Sequence, residues 1–194
     1  MSDNPQGVFI DDVEFPFDES NSILEFSNKS LGEKIIPTLC DDVNLKPYGA
    51  CRVCSVEVQH TEDGPKRTVA SCHTPINPGM RIYTNSDSVK TLRRNIVELV
   101  LSDHPPDCLT CEVNGNCELQ DVAASVGVRR IRYAKGENHC DREKDLSHAY
   151  MRMDLSKCIN CSRCVRACDE VQGQFTLTMT GRGFESRITT DNDM

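Results

Sequence analysis

Residues 157–168 read KCINCSRCVRAC, a run of four cysteines with the spacing C-x2-C-x2-C-x3-C. Three thiolates at steps of three residues can surround one face of a cubane cluster, and the N–H groups of so tight a loop can point at its sulfides. Zinc usually takes two separated C-x2-C pairs around one tetrahedral ion. The run therefore predicts a [4Fe–4S] cluster on Cys158, Cys161 and Cys164, with Cys168 binding the same cluster or a further one.

A second set of cysteines lies closer to the N-terminus and comprises Cys40, Cys51, Cys54 and Cys72. Its spacing is C-x10-C-x2-C-x17-C. A C-x2-C pair that follows one upstream cysteine and is completed by a distant one is typical of plant-type [2Fe–2S] sites, although the first gap there is four residues. A zinc ribbon is the alternative, but it needs two C-x2-C pairs and this set has one. The set favours a [2Fe–2S] cluster.

The third set combines one histidine with three cysteines, in the pattern H-x3-C-x2-C-x5-C formed by His104, Cys108, Cys111 and Cys117. Three thiolates and one imidazole also make an ordinary zinc site, so the spacing alone leaves zinc and iron–sulfur open. The neighbouring cysteine sets favour a second redox centre, because several such centres in one small chain suggest a relay. Cys140 belongs to no set and is assigned no role.

Composition limits the remaining possibilities. The chain has 194 residues, 12 cysteines, no tryptophan and a net charge of −8. A core this poor in aromatic residues implies disulfide or metal staples, and the negative charge argues against a nucleic-acid partner. We expect no membrane span, since no apolar run is long enough. The N-terminus lacks the features of a signal peptide, so we expect a cytoplasmic protein with reduced thiols.

Periodicity predicts a small mixed sheet packed on one helix in residues 1–84. Strands are expected at Val8–Ile10, Val13–Phe15 and Ser55–Gln59, and within residues 67–71 and 80–84. The helix is expected within residues 20–31.

Further along the chain, a helix is predicted from Ser86 or Ser88 to Leu101, and it ends before His104. A shorter helix is predicted from Cys117 to Val126, and a strand over residues 176–179. Residues 189–194 carry no structural signal. The apolar stripe predicted for the first of these helices comprises Val89, Leu92, Ile96, Leu99 and Val100.

The order of these three ligand sets resembles an electron-transfer module known from several oxidoreductases. It is the N-terminal module shared by the large iron–sulfur subunit of respiratory complex I, [FeFe] hydrogenases and NAD-dependent molybdenum or tungsten formate dehydrogenases. The resemblance runs from about Val8 to Arg187. It implies an α+β fold with a β-grasp [2Fe–2S] domain at 1–84, a one-His/three-Cys [4Fe–4S] domain at 85–148 and part of a ferredoxin-like [4Fe–4S] domain at 149–194.

The resemblance also implies ligands and cofactors. Cys40, Cys51, Cys54 and Cys72 would hold [2Fe–2S], and His104 with Cys108, Cys111 and Cys117 would hold the first [4Fe–4S]. The expected cofactors are thus one [2Fe–2S] and one or two [4Fe–4S] clusters.

Three sequence segments most resemble the formate dehydrogenase branch of this family, namely residues 96–105, 164–173 and 181–184. This resemblance implies a one-electron relay between a molybdopterin domain or subunit and a flavin/NAD-binding subunit. The same relay in a hydrogenase or in complex I is the alternative, and a structural zinc module for protein interactions is an alternative of another class. We expect no substrate-converting site within these residues, since no P-loop and no complete dinucleotide motif is present.

One feature departs from the family pattern. In two-cluster ferredoxins the fourth cysteine of each run binds the other cluster, and family members carry a further cysteine downstream. No cysteine follows Cys168 here. Either Cys168 completes the third cluster itself or the chain is a fragment of a longer polypeptide, and we favour the fragment.

Overall fold

Two compact units make up the computed structural model, which describes residues 7–32, 34–61, 64–136 and 143–190. The first unit comprises Met1–Asp41 and Pro47–Ile96, and the second comprises Asp42–Lys46 and Val97–Met194. Cys140 lies outside the described residues. No helix within the described ranges is long and apolar enough to span a membrane.

The first unit contains a five-stranded mixed sheet with the order β2-β1-β5-β3-β4. Strands β1 and β5 are parallel, and the other neighbours are antiparallel. Asp11 and Asp12 link the first two strands with φ values of 47° and 66°, the left-handed conformation that a two-residue hairpin turn requires. The predicted α+β fold is confirmed. The strands are β1 Val8–Ile10, β2 Val13–Phe15, β3 Ser55–Gln59, β4 Arg67–Ala70 and β5 Arg81–Tyr83.

Helix α1, Ile23–Leu31, contributes to the same hydrophobic core as the sheet. Its first turn is capped because the Ser22 hydroxyl accepts the Glu25 N–H at 3.2 Å, which satisfies a donor with no partner inside the helix. Ile23, Leu24 and Phe26 are buried, as the predicted apolar side requires. The helix begins three residues later than the start of the predicted region.

The central strand β5 places Ile82 in this core, where it is 1% exposed. We expect Ile82→Val to lower the free energy of unfolding by about 1 kcal/mol, because it removes a buried methylene and leaves a small void. Chemical denaturation followed by circular dichroism measures this. Ile35→Val is the matched control, since Ile35 belongs to the same unit and is 48% exposed. An equal loss in both variants would contradict the packing argument.

Helix α2 extends over Asp87–Asp103, and the Ser86 hydroxyl accepts the Val89 N–H at 3.3 Å. The helix is confirmed, but its predicted apolar stripe is partly wrong. Leu99 is 45% exposed, whereas Arg93 is 5% exposed. The buried positions Val89, Arg93 and Val97 are spaced by four, so they share one helix face. The predicted stripe omitted both Arg93 and Val97, which are buried.

In its described residues, the second unit holds the end of α2, short helices and a β-hairpin. Helix α3 is Glu118–Ser125, and helix α4, Arg163–Arg166, continues into a π-helical turn at Ala167–Val171. Strands β6, Leu177–Thr180, and β7, Arg187–Thr190, are antiparallel. The prediction that residues 189–194 lack structure is wrong for Thr189 and Thr190, because pairing with β6 forms β7. Residues 191–194 lie outside the described residues.

Candidate iron–sulfur sites

The four predicted [2Fe–2S] ligands of the first unit are arranged as two pairs. The Sγ atoms of Cys54 and Cys72 lie 3.5 Å apart, and the Cys40 thiol is hydrogen-bonded to that of Cys51. Cys51 is half-buried and the other three are buried. Each iron of a two-iron, four-thiolate cluster takes two thiolates, so each pair suits one iron.

The loop before β3 surrounds these thiols with backbone N–H groups. Those of Ala50 and Cys51 are hydrogen-bonded to Cys40, and that of Gly49 to Cys72. Gly49 and Arg52 have φ values of 70° and 62°, and such left-handed residues turn successive amides toward one side of the loop. The loop therefore offers several donors to sulfur atoms.

The hydrogen bond within each pair lowers the pKa of one thiol and raises the pKa of the other. The bond from Cys40 lowers the pKa of Cys51 to about 6, and the bond from Cys72 lowers the pKa of Cys54 to about 6. The same bonds, together with burial, raise the pKa of Cys40 and of Cys72. Since iron binds thiolates, loading this site would release the protons of Cys40 and Cys72.

His104 lies directly after α2 and is oriented by its neighbour. Its Nδ1 lies 3.1 Å from the carbonyl oxygen of Pro105. A carbonyl only accepts hydrogen bonds, so Nδ1 carries the proton and Nε2 has a free lone pair for a metal, the usual arrangement for a metal-binding histidine. Burial and the Lys157 charge lower the pKa of His104, which favours the neutral imidazole that a metal needs.

One cavity of about 520 Å³ in the second unit is lined by His104, Cys108, Cys111 and Cys117 together. Leu101 and Leu119 supply apolar parts of its wall. Within the described residues, no three His, Cys, Asp or Glu side chains are grouped closely enough to hold a single metal ion. The cavity size and the mixed ligand set fit a four-iron cluster.

The cysteine run of the third set forms a loop that leads into α4. Asn160 and Ser162 have φ values of 54° and 59°, and the Asn160 N–H donates to Cys158 Sγ at 3.4 Å. The left-handed residues alternate with the cysteines and turn backbone amides toward the sulfurs. At the end of the run, N–H groups of Leu177 and Thr176 lower the pKa of Cys168.

Two ion pairs, which we call the loop clamp, join the second and third ligand loops. Lys157 pairs with Asp107, and Arg163 pairs with Glu118. Each of these residues is a direct neighbour of a predicted ligand in the sequence. Lys157 and Arg163, which flank cysteines of the third set in the sequence, are therefore ion-paired in the structure.

Arg166, the third basic residue near the run, has a structural role. It is 7% exposed, and its Nε lies 3.2 Å from the Glu170 carboxylate. Its Nη2 donates to the Lys46 carbonyl, and the Glu170 carboxylate accepts the Lys46 N–H at 2.8 Å. This ion pair, formed by the buried Arg166 and Glu170, therefore holds the Asp42–Lys46 segment within the second unit.

Gly136 approaches the end of α2 closely, next to His104. A Cβ at this position would lie 2.6 Å from the Phe184 ring and would overlap the buried Asp103 carboxylate. We expect Gly136→Ala to cost about 2 kcal/mol of stability through overpacking and to lower iron occupancy at the second site, because Asp103 precedes His104. Thermal denaturation and iron analysis measure both effects. Lys135→Ala, at the exposed neighbour, should change neither; full iron occupancy in Gly136→Ala would contradict the expectation.

Sequence reasoning missed two groups that belong to these sites. The first is the Pro105 carbonyl, which carries no sequence signal. The second is Arg93, whose Nε donates to the Ser55 carbonyl next to Cys54 at 2.9 Å. Its position four residues from both Val89 and Val97, on the buried face of α2, was a signal available in the sequence.

Comparison with protein families gives three matches along the chain. A 2Fe-2S iron-sulfur cluster binding domain matches residues 7–87. The NADH-ubiquinone oxidoreductase-G iron-sulfur binding region matches residues 93–132. The ferredoxin-like domain of NADH-quinone oxidoreductase subunit 3 matches residues 149–194. The predicted cofactor types, [2Fe–2S] and [4Fe–4S], are thereby confirmed, while the individual ligands remain predictions.

Two curated relatives and one solved structure are similar to the chain. The NADP-reducing hydrogenase subunit HndD of Solidesulfovibrio fructosivorans is 42% identical over 79% of this chain. The G-type subunit of NADH-quinone oxidoreductase from Rickettsia prowazekii is 31% identical over 94% of this chain. The chain spans about a quarter of each relative's length, 26% in both cases. A crystal structure of NAD+-reducing [NiFe]-hydrogenase in the H2-reduced state matches with a TM-score of 0.82 and 29% identity, covering 97% of this chain and 76% of that one.

Proposed function

Because the chain matches iron–sulfur regions of NADH-quinone oxidoreductase subunits and is similar to a hydrogenase subunit, we propose that it relays single electrons within a larger oxidoreductase. One observation carries the proposal. The four predicted ligands of the second set line one cavity. Three residues of the third ligand loop line the same cavity, namely Lys157, Ile159 and Arg163. Two clusters held by these loops would be immediate neighbours, which is what electron transfer between them requires.

The proposed ligand assignment follows the three sets. Cys40 and Cys51 bind one iron of the [2Fe–2S] cluster, and Cys54 and Cys72 bind the other. His104, Cys108, Cys111 and Cys117 bind the first [4Fe–4S] cluster. Cys158, Cys161 and Cys164 bind the second, and Cys168 binds either that cluster or a further one.

The chemistry of this chain is limited to electron transfer. The clusters accept and donate the electrons, while the protein fixes their positions and adjusts their reduction potentials through ligands, hydrogen bonds and burial. Substrate conversion would take place elsewhere, in a further domain or partner subunit.

We propose two candidates for the enzyme to which this chain belongs. Resemblance of residues 96–105, 164–173 and 181–184 supports a formate dehydrogenase, with a molybdopterin domain at one end of the relay and a flavin/NAD subunit at the other. The 42% identity to the hydrogenase subunit supports a hydrogenase as the second candidate. Molybdenum or tungsten in a complex purified through this chain would support the first candidate, and hydrogen-dependent cluster reduction without either metal would support the second.

The proposal is tested by measuring iron, acid-labile sulfide and zinc in anaerobically purified protein. About ten irons per chain mean that all three sites are filled, and about six mean that the third site needs a ligand from outside these residues. Zinc without sulfide would overturn the relay and support the structural zinc module. Electron paramagnetic resonance of the reduced protein identifies the cluster types.

A further inference from the structure

Arg93 is a buried cation of the first unit without a carboxylate partner among the described residues. It is 5% exposed. Its Nε donates to the Ser55 carbonyl at 2.9 Å and its Nη1 to the Thr84 carbonyl at 3.0 Å. Its Nη2 is buried and has no hydrogen-bond partner in the described part of the chain. Both acceptors are neutral, so the hydrogen bonds do not cancel the charge.

Burial of a charged side chain without a counterion costs free energy. The charged form of Arg93 therefore needs a negative group nearby to stabilise it. Burial lowers the pKa of Arg93 to about 10, which still leaves it protonated at neutral pH. The groups that favour its charged form are Cys54 first and Asp11 second. Asp11 is exposed, and its carboxylate accepts hydrogen bonds from the N–H and hydroxyl of Thr84. Cys54 makes the larger contribution, and Ser55, the residue directly after it, accepts the Arg93 hydrogen bond.

The hydrogen bond to Ser55 fixes the guanidinium beside the cluster loop. Ser55 follows Cys54 directly and begins β3, and the Cys54 carbonyl accepts the Ser71 N–H at 3.3 Å. Arg93 thus holds the backbone on one side of a predicted ligand, and its charge lies within electrostatic range of that ligand.

We propose that Arg93 is the fixed countercharge of the [2Fe–2S] cluster and raises its reduction potential. A cluster held by four thiolates is anionic, and its negative charge grows by one when it accepts an electron. A nearby buried cation stabilises the reduced form more than the oxidised form, because low local polarity leaves the interaction poorly screened. No proton transfer is needed. The inference rests on the proposed function, since it requires the cluster on Cys54.

The test is a redox titration of the [2Fe–2S] signal in the full chain by electron paramagnetic resonance. Arg93→Gln and Arg93→Met remove the charge, whereas Arg93→Lys keeps it. We expect both neutral variants to lower the equilibrium constant for cluster reduction at least tenfold, equivalent to 59 mV for one electron. Arg93→Lys should stay within threefold of the parent protein. Arg94→Gln is the matched control, because it makes the same charge change at the exposed neighbouring position of α2, and its effect should also stay within threefold.

The outcomes separate this inference from the proposed function. Absence of any [2Fe–2S] signal in the parent protein overturns the proposed function. A normal signal whose potential is unchanged in a neutral variant overturns the role of Arg93 alone, as does an equal shift in Arg94→Gln. If both neutral variants fail to assemble the cluster, the Arg93→Lys variant shows whether the positive charge or the two hydrogen bonds are required. Assembly with lysine supports a required positive charge, and failure with lysine instead assigns Arg93 to holding the two carbonyls.

Discussion

We expect Cys54→Ala to abolish the [2Fe–2S] signal and to remove about two irons per chain, while the four-iron signals remain. Cys54 is buried and shares its pair with Cys72 at 3.5 Å, so the variant leaves one iron with a single protein thiolate. Iron analysis and electron paramagnetic resonance of anaerobically purified variants measure the loss.

Cys140→Ala is the control for this experiment, since Cys140 belongs to none of the three ligand sets. It should retain the iron content and all signals of the parent protein. A Cys54→Ala variant that kept its [2Fe–2S] signal would remove Cys54 from the ligand set. Loss of every cluster signal would instead indicate that the variant had unfolded, and circular dichroism would detect this.

We expect His104→Cys to lower the reduction potential of the second cluster by on the order of 100 mV. Neutral imidazole in place of thiolate removes one negative charge from a cluster, and Rieske centres show that this raises the potential. The Pro105 carbonyl at 3.1 Å from Nδ1 leaves Nε2 free to bind a metal, so with His104 as a ligand the exchange would replace a neutral nitrogen with an anionic sulfur. A redox titration monitored by electron paramagnetic resonance measures the change.

His148→Gln provides the comparison, because His148 is exposed and belongs to no ligand set. It should leave the potential of the second cluster unchanged. An unchanged or higher potential in His104→Cys, with the cluster intact, would contradict the argument from ligand charge. Loss of the cluster in His104→Gln would still support His104 as a ligand.

The sequence predicted the features that depend on residues close together in the chain. The cysteine run at 158–168, the two strands on either side of Asp11 and Asp12, and the start of α2 near Ser86 or Ser88 are each defined within a dozen residues. Their spacing or residue type is enough to indicate the local geometry.

Features that depend on distant residues were not predicted. Arg93 bonds a carbonyl 38 residues away, and Arg163 pairs with a carboxylate 45 residues away. Strand β7 has little apolar character of its own, and it forms because Arg187–Thr190 pairs with β6. Local periodicity does not indicate which groups a buried cation binds or which strand a short strand pairs with. Both features became visible only in the tertiary structure.

The loop clamp has a consequence for natural variation among related chains. Asp107 and Lys157 are 50 residues apart in the sequence, yet their opposite charges form an ion pair. Reversal of one charge alone would place two like charges next to each other between the two predicted cluster sites, whereas reversal of both would restore the pair. Related chains should therefore exchange these residues together, and Glu118 with Arg163 likewise, so the two ligand loops are expected to evolve as one inherited unit.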